Sequence, residues 1–311
     1  MTDTAAPLLP SRVRSRRHGI ETGPLGHLRE ERERLAELEW EHFEATPMGA
    51  TIGAVLTGID LSAALSDAAI AEIRQALLDY KVVFFREQHL TAAEHVAFAR
   101  RFGELEVHPF IPANAEHPEL VRLAKSPEVG GYENGWHSDV TWRLVPSMGS
   151  ILRAVDVPPT GGDTLFADMY AAYEGLDDDT REQIDGLQAI HDFSQVFGGR
   201  MSAERKAEML EKYPLVEHPV VRTYPETGRK LLFLNRAFGK KIVGMDDDES
   251  NALFARLCAQ AEILEYQCRF QWAPGSIAFW DNRAVQHYAS SDYWPAIRVM
   301  ERATIIGDRP V

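Results

Sequence analysis

The feature that most constrains the fold of this 311-residue chain is a series of short apolar runs in its C-terminal two thirds. These runs have the composition of β-strands, alternate with turns, and fall at residues 150–155, 230–234, 276–280 and 297–306. Helical patterns interrupt them around residues 170–187 and 246–261. Many short strands with segregated helices predict a mainly β fold with flanking helices, an α+β arrangement around a double-stranded β-helix, or jelly roll.

The opposing fold class is a parallel, doubly wound sheet. Such a sheet would show regular strand–helix alternation and preferably a glycine-rich phosphate loop. The glycine pair Gly161-Gly162 does not precede a helical phosphate cradle. The jelly roll therefore remains the predicted core.

The N-terminal third carries local signals for helices and for a domain boundary. Residues 66–80 predict a helix behind the N-cap Ser66, residues 82–85 predict a buried strand, and Thr91 with Glu94 forms a capping box whose helix should end at Gly103. We predict an N-terminal arm over residues 1–42, partly disordered or helical, and one catalytic domain over residues 43–311. The charged helical run at 28–38 favours a solvated helix over an arm that contacts another subunit.

Composition limits the choice of partner and compartment. The net charge of −14 argues against nucleic acid, although a local basic pocket for a small anion remains compatible with it. No apolar run approaches the length of a membrane span, so we expect no membrane partner and a cytoplasmic location. We also expect a homo-oligomer, either a dimer or a tetramer. The two cysteines, Cys258 and Cys268, are expected to be small buried core residues.

The strongest chemical signal is the segment from Trp136 to Trp142, which contains His137 and Asp139. In an extended segment these two side chains point to the same face, and the distant His287 can complete a set of two imidazoles and one carboxylate. That set is the facial triad of non-heme Fe(II) oxygenases. A His-x-Asp alone is weak, because a chain with 11 histidines gives roughly one match by chance. His287, for its part, could equally be an ordinary core histidine.

Two arginines near the C-terminus form a second candidate site. Residues 297–306 alternate, so Arg298 and Arg302 share one face of a predicted strand. Burial of two guanidinium groups requires an anion or a carboxylate for each. Either they form salt bridges with internal acids, or they bind carboxylate or sulfonate groups of ligands.

With these motifs in place, the chain resembles the TauD/TfdA family of Fe(II)- and 2-oxoglutarate-dependent dioxygenases over roughly residues 43–309. Several separate motifs occur in the family's order and spacing. They are Phe102-Gly103-Glu104-Leu105, His108-Pro109, the segment from Trp136 to Thr141, the segment from Gly161 to Leu165, Trp280-Asp281-Asn282-Arg283 with His287-Tyr288, and Arg298 with Arg302.

The resemblance implies a set of site residues and ligands. His137, Asp139 and His287 match the iron ligands, while Thr164 and Arg298 match the groups that hold the distal carboxylate of 2-oxoglutarate. Four further residues match positions around the substrate: His108 and Arg302 at its anionic head, and Phe197 and Phe238 in the pocket wall. The implied cofactors are Fe(II), 2-oxoglutarate and O2. The implied reaction oxidises a small anionic organic substrate, such as a sulfonate, a sulfate ester or a carboxylate, and releases succinate and CO2.

Two positions depart from the pattern of taurine-using members. Glu133 replaces an Asn four residues before His137, and Ile111 replaces a Tyr. The carboxylate of Glu133 would repel a sulfonate or receive a substrate amine, so we expect taurine to be a poor substrate. Two other functions use the same three ligands: a Zn-dependent hydrolase and a non-catalytic cupin-like binding protein.

Overall fold

The computed structural model describes residues 25–129 and 133–311, with the backbone alone at residues 13–14, 21–22 and 200. Within these residues the strands are β1 (Val13–Arg14), β2 (Glu21–Thr22), β3 (Glu44–Pro47), β4 (Ala54–Thr57), β5 (Val82–Phe85), β6 (Leu120–Lys125), β7 (Ser147–Asp156), β8 (Thr164–Asp168), β9 (Gln188–His191), β10 (Val216–Pro219), β11 (Val221–Thr223), β12 (Lys230–Leu232), β13 (Gly239–Ile242), β14 (Gln267–Phe270), β15 (Ile277–Asp281), β16 (Val285–Ala289) and β17 (Arg298–Ile306). The α-helices are α1 (Leu28–Ala36), α2 (Asp67–Tyr80), α3 (Ala92–Ala99), α4 (Met169–Glu174), α5 (Asp178–Ile184), α6 (Ser194–Phe197), α7 (Ala203–Lys212) and α8 (Asp247–Cys258).

Two facing sheets form the core of the described chain. The larger has the order β3-β4-β5-β15-β7-β17-β6 and is antiparallel except for the β4–β5 pair, while the smaller has the order β14-β8-β16. Their inner faces meet through aromatic contacts, since the Phe84 ring stacks on Phe270 at 4.1 Å and lies edge-on to Phe166 at 5.6 Å. This arrangement is a jelly-roll core, and it confirms the predicted fold class.

Helices α2 and α3 cover the outer face of the larger sheet. Alternation along β17 places Met300 in the core between the sheets and Ala303 and Ile305 in the core beneath these helices. Local signals set the helix starts as predicted. The Ser66 side chain accepts a hydrogen bond from the backbone N–H of Ala69, and Thr91 begins α3 with a full capping box. The end of α3 differs from the prediction, because the helix stops at Ala99 instead of continuing to Gly103.

Between β8 and β14 the chain leaves the jelly roll and builds a second layer. This insertion holds α4 to α8, the hairpin β11–β12, and a small sheet of order β10-β9-β13. It has a core of its own around Tyr170, Leu231 and Leu253. It also carries Phe197 and Phe238 toward the predicted site.

The N-terminal helix α1 is more buried than its charged sequence indicates. Leu28 and Leu35 enter two hydrophobic cores, and the carboxylate of Glu31 accepts a 2.7 Å hydrogen bond from the buried Lys81 ammonium. Glu31 also accepts from Arg34 at 3.0 Å. The helix expected at residues 28–38 is thus solvated on one face, where Arg29 and Glu33 are exposed, and packs against the domain with the other face. The domain boundary at residue 43 stays a prediction, and the disorder expected before residue 25 falls outside the described residues, save the paired backbones of β1 and β2.

Two further predictions concern the cysteines and membrane segments. Cys258 and Cys268 are both free and buried, as expected, and burial raises the pKa of Cys258 to about 12. None of the helices in the described part of the chain has the length and apolar character that a membrane crossing requires.

Candidate active site

A backbone bridge brings His137 and His287 together although 150 residues separate them. The N–H of His137 donates to the carbonyl of His287 at 3.0 Å, the reverse bond measures 2.7 Å, and the ring centroids are 4.1 Å apart. His287 lies on β16, as its position after an apolar strand indicated. His137 lies in an isolated bridge, so the extended segment predicted around it is shorter than a regular strand.

Asp139 is presented by a turn that follows this bridge. The next residue, Val140, has a φ of 48°, a left-handed conformation that β-branched residues rarely adopt. The side chain of Asn282 holds Asp139 at both backbone groups: it accepts from the N–H at 2.7 Å and donates to the carbonyl at 2.8 Å. As a result, His137, Asp139 and His287 each offer one ligand atom, and these atoms lie within 4.8 Å of one another.

The protonation of the cluster suits a divalent metal ion. The Nδ1–H of His137 donates to the carbonyl of Gly135 at 2.8 Å, which leaves the Nε2 lone pair available. Burial lowers the pKa of His287 well below its ordinary value, so this imidazole is neutral. Burial acts to raise the pKa of Asp139, but the positive charge of the adjacent Arg302 guanidinium outweighs it, lowers the pKa and keeps the carboxyl ionised. The cluster therefore offers two imidazoles, that of His287 kept neutral by burial, and one carboxylate.

Arg302 and Arg298 lie on the same strand face, as predicted, but have different surroundings. The Nη1 of Arg302 donates to both oxygens of Asp139, at 2.7 and 2.8 Å. The salt bridge to an internal acid, one of the two alternatives that the sequence left open, therefore describes Arg302 in this structure. Its predicted contact with the substrate head stays a prediction.

Arg298 is a buried cation whose side chain is not satisfied. It is 6% exposed, and its Nε and Nη2 have no hydrogen-bond partner among the described residues. Burial lowers its pKa, which reflects the cost of desolvating the charge. A Cβ at Gly162 would come within 3.1 Å of the Arg298 side chain, so glycine gives the guanidinium its room. A group in this state is suited to an incoming carboxylate.

Thr164, the predicted partner of Arg298, begins β8 and is also buried. Its hydroxyl accepts a hydrogen bond from the indole N–H of Trp272 at 2.9 Å. The Arg298 guanidinium lies 5.9 Å from the Trp272 ring and 5.8 Å from the Tyr293 ring. Sequence reasoning did not single out Trp272 or Tyr293, because neither belongs to a motif with a chemical spacing.

Three of the four residues predicted around the substrate, His108, Phe197 and Phe238, form one aromatic cluster. The ring centroids of His108 and Phe197 are 6.0 Å apart, and Phe197 stacks on Phe238 at 6.3 Å. Phe110, which sequence reasoning missed, lies 4.9 Å from Phe197. Its position directly after the motif His108-Pro109 was the available signal. These side chains line an apolar wall with one polar ring.

His108 has a defined tautomer. Its Nδ1 accepts hydrogen bonds from the N–H groups of Phe110 at 3.2 Å and Ile111 at 3.1 Å. Burial, together with the positive charge of Arg302, lowers the pKa of His108 to about 3. The ring is therefore neutral and carries its proton on Nε2, where it can donate to an anion.

Glu133, the departure from the taurine pattern, pairs with a cation of the protein. Its Oε1 accepts from the Nζ of Lys125 at 2.5 Å, and Lys125 is the cross-strand neighbour of Arg298. Ile111, the other departure, is half-buried and contributes its backbone N–H to His108. Neither position offers the site a group with the chemistry of the taurine-type residue.

Comparison with known proteins decides the family. The family described as taurine catabolism dioxygenase TauD, TfdA matches residues 44–304. The chain belongs to the TauD/TfdA family. This result confirms the resemblance found in the sequence and makes the protein a 2-oxoglutarate-dependent dioxygenase.

Relatives within the TauD/TfdA family extend over nearly the same length. An alkylsulfatase of Acinetobacter baylyi is 38% identical, over 83% of this chain and 83% of its own. An alpha-ketoglutarate-dependent sulfate ester dioxygenase of Pseudomonas putida is 38% identical, over 86% and 91%. The crystal structure of a taurine dioxygenase from Burkholderia xenovorans is 40% identical, with a TM-score of 0.77 over 87% of this chain and 91% of that one.

Proposed function

We propose that this dioxygenase holds Fe(II) through His137, Asp139 and His287, and 2-oxoglutarate through Arg298 and Thr164. The observation that carries the proposal is the buried Arg298 guanidinium, whose Nε and Nη2 have no hydrogen-bond partner among the described residues. It lies on the same strand face as Arg302, which contacts Asp139. A hydrolytic or purely metal-binding protein would leave that charge without a function. The distal carboxylate of 2-oxoglutarate would neutralise it with a bidentate contact.

The donor set fits iron, and other residues of the chain orient the three ligands and set their charge. Bound Fe(II) and 2-oxoglutarate would supply the activation of O2 that oxidises a substrate C–H bond, with release of succinate and CO2. The carbonyl of Gly135 orients the ring of His137, and Asn282 orients Asp139. Arg302 keeps Asp139 ionised until a metal ion takes its place beside the carboxylate.

We further propose that the substrate is a small organic anion with an apolar body, with a sulfate ester or a sulfonate as the leading class. Both curated relatives described above are named for sulfate esters or alkyl sulfates. The Nε2–H of His108 and the guanidinium of Arg302 would bind the anionic head, and the rings of Phe197 and Phe238 would contact the body. Hydroxylation of the carbon that bears a sulfate oxygen gives an unstable product, which collapses to an aldehyde and sulfate.

Taurine does not match this proposed pocket well. Its body is short and ends in an ammonium group, whereas the wall formed by Phe110, Phe197 and Phe238 is apolar. The carboxylate of Glu133 is already paired with Lys125 and would have to leave that pair to receive the amine. We therefore expect an alkyl sulfate or alkyl sulfonate to be a better substrate than taurine. A cytoplasmic location and assembly as a dimer or tetramer complete the proposal.

The proposal is tested by succinate formation that depends on O2. Purified protein with Fe(II) and 2-oxoglutarate is assayed with taurine, alkyl sulfonates, alkyl sulfates, and aryloxy or amino acids. We expect an alkyl sulfate or sulfonate to stimulate succinate release above the background without substrate. Tightly coupled turnover of taurine would contradict the expected specificity, and a best substrate without an anionic group would contradict the roles of His108 and Arg302.

The metal site has a separate test. Under anaerobic conditions Fe(II) and 2-oxoglutarate should give a weak visible charge-transfer band, and His137→Ala or Asp139→Ala should abolish it. The exposed His89, which lies outside the cluster, provides the control His89→Ala. A band of undiminished strength in both cluster variants would rule out the proposed ligands.

A further inference from the structure

A series of buried hydrogen bonds stabilises the turn that presents Asp139. Thr141, which is fully buried, accepts a 3.0 Å hydrogen bond at its hydroxyl from the side-chain amide of Asn235. The same hydroxyl lies 2.9 Å from Nδ1 of His191. Since Val140 is in the left-handed region, the surrounding structure must hold this turn in place. The side chain of Thr141 is one point at which it does so, in addition to the contacts of Asn282 with the backbone of Asp139.

The other end of the Asn235 amide contacts the aromatic wall. Its Oδ1 accepts a hydrogen bond from the backbone N–H of Phe238 at 3.1 Å. The carbonyl of Phe238 in turn accepts from the backbone N–H of Asp192 at 2.8 Å. Asn235 is 1% exposed, so water does not compete for either bond. Both ends of one buried amide are therefore used, and exchanging its oxygen and nitrogen would lose both contacts.

We propose that Asn235 is a positioning residue that fixes the Phe238 wall relative to the turn carrying Asp139. This inference rests on the proposed function, in which Phe238 contacts the substrate and Asp139 binds the metal. Oxidation at one chosen carbon requires that carbon to sit at a set distance from the metal, and a displacement of about 1 Å can cost ~100-fold in rate. The amide of Asn235 joins the two groups that set this distance, through atoms of Thr141 and Phe238 that themselves touch neither ligand.

Two variants break this series of hydrogen bonds at different points, and two more serve as controls. Asn235→Ala removes both hydrogen bonds, whereas Thr141→Val keeps the shape of the side chain and removes only the hydroxyl. Thr141→Ser keeps the hydroxyl and removes only the methyl group. Ser250→Ala removes a buried hydrogen bond of similar length, from the N–H of Ile242 at 2.9 Å, in the first turn of α8.

The decisive measurement is the ratio of oxidised substrate to succinate, together with Mn(II) affinity followed by electron paramagnetic resonance. We expect Asn235→Ala and Thr141→Val to lower this ratio by about tenfold and to weaken Mn(II) binding severalfold, with the KM for 2-oxoglutarate changed less than about twofold. Thr141→Ser should recover most of both losses. Ser250→Ala should lower thermal stability while leaving the ratio and Mn(II) affinity at the wild-type values.

The outcomes separate this inference from the proposed function. If Thr141→Val lowers stability as Ser250→Ala does, but keeps wild-type coupling and Mn(II) affinity, Asn235 is only structural and the inference is overturned. If the wild-type protein forms no O2-dependent succinate with any substrate of the panel, the proposed function fails, and Mn(II) affinity alone decides whether the amide supports the turn. Should Asn235→Ala not fold, the Thr141→Val and Thr141→Ser pair gives the same decision.

Discussion

At the scale of single residues, β17 carries two arginines on one face that differ in their hydrogen-bond partners. Arg302 has its counter-charge inside the protein, in Asp139, whereas the Nε and Nη2 of Arg298 have no partner among the described residues. The alternation of residues 297–306 predicted the shared face, but not which arginine would be paired. That distinction depends on Asp139, which lies 163 residues away in sequence.

The first prediction concerns the cosubstrate contact of Arg298. We expect Arg298→Ala to raise the KM for 2-oxoglutarate by roughly 10- to 100-fold, because a buried charge-assisted contact is lost. Thr164→Val should have a smaller effect, since it removes one neutral hydrogen bond and leaves the arginine in place. Steady-state succinate assays measure both, with the half-exposed Arg236→Ala as a control. An unchanged KM in Arg298→Ala would remove this residue from the cosubstrate site.

The second prediction separates His108 from Arg302. His108→Ala should raise the KM for the best substrate of the panel and leave Mn(II) affinity unchanged, because its ring makes no hydrogen bond to the proposed metal ligands among the described residues. Arg302→Ala should impair both substrate and metal binding, because its Nη1 contacts Asp139 at 2.7 Å. Slow succinate formation without substrate should persist in His108→Ala. Identical effects of the two variants on Mn(II) affinity would contradict this division of roles.

Sequence reasoning named the three residues that the structure brings together in a cluster, but not the residues that hold them. His137, Asp139 and His287 carry recognisable spacing and residue types, whereas Asn235 and Trp272 are single polar groups within ordinary segments. Thr141 meets Asn235 across 94 residues of chain, and Thr164 meets Trp272 across 108. Such contacts follow only from the folded path of the chain.

At the scale of secondary-structure elements, the predictions succeeded where local signals decide. The caps of α2 and α3 lie in the sequence within three residues of the groups they satisfy. The prediction for α1 gave a solvated helix but missed its packed face, for the opposite reason. The charge that makes Glu31 resemble a solvent-facing residue is matched by Lys81, which lies fifty residues further along the chain.

The third prediction tests the attachment of α1. Glu31→Ala should lower the free energy of unfolding by about 3 kcal/mol, because it leaves the buried ammonium of Lys81 without its nearest carboxylate. Glu33→Ala, on the exposed face of the same helix, should cost less than about 0.5 kcal/mol. Urea denaturation of both variants gives the comparison, and equal losses would show that α1 is held by its apolar residues alone.

At the scale of the whole molecule, the number and shortness of the strands predicted two facing sheets, but their order remained undetermined. The parallel pair β4–β5 and the position of β15 between β5 and β7 depend on pairings between distant parts of the chain. The same closed architecture buries five of the described histidines: His95, His108, His191, His218 and His287. Burial lowers the pKa of His95 to about 4 and the pKa of His108 and His191 to about 3.

The fourth prediction follows from these three neutral histidines. In the unfolded chain a histidine has a pKa of about 6.5. Below that pH the unfolded state therefore binds protons that the buried histidines of the folded state do not bind. The free energy of unfolding should therefore reach its full value above about pH 6.5 and decrease toward pH 4. The decrease is up to about 1.4 kcal/mol per pH unit for each histidine. Carboxylates with lowered pKa values, such as Glu31, add losses only nearer pH 4.

Urea denaturation of the metal-free protein between pH 7.5 and 5 measures this slope without the carboxylate contribution. His95→Gln isolates one histidine, since His95 lies on the buried face of α3 and its Nε2 contacts the carbonyl of Ile151 at 3.0 Å, away from the proposed metal ligands. This variant should show a shallower loss of stability with acid, because glutamine does not bind the proton that opposes folding. His89→Gln, at an exposed histidine, should keep the wild-type slope. Unfolding free energies that stay constant or rise from pH 7.5 to 5 would mean that these imidazoles are solvated or paired with anions, contrary to the burial described above.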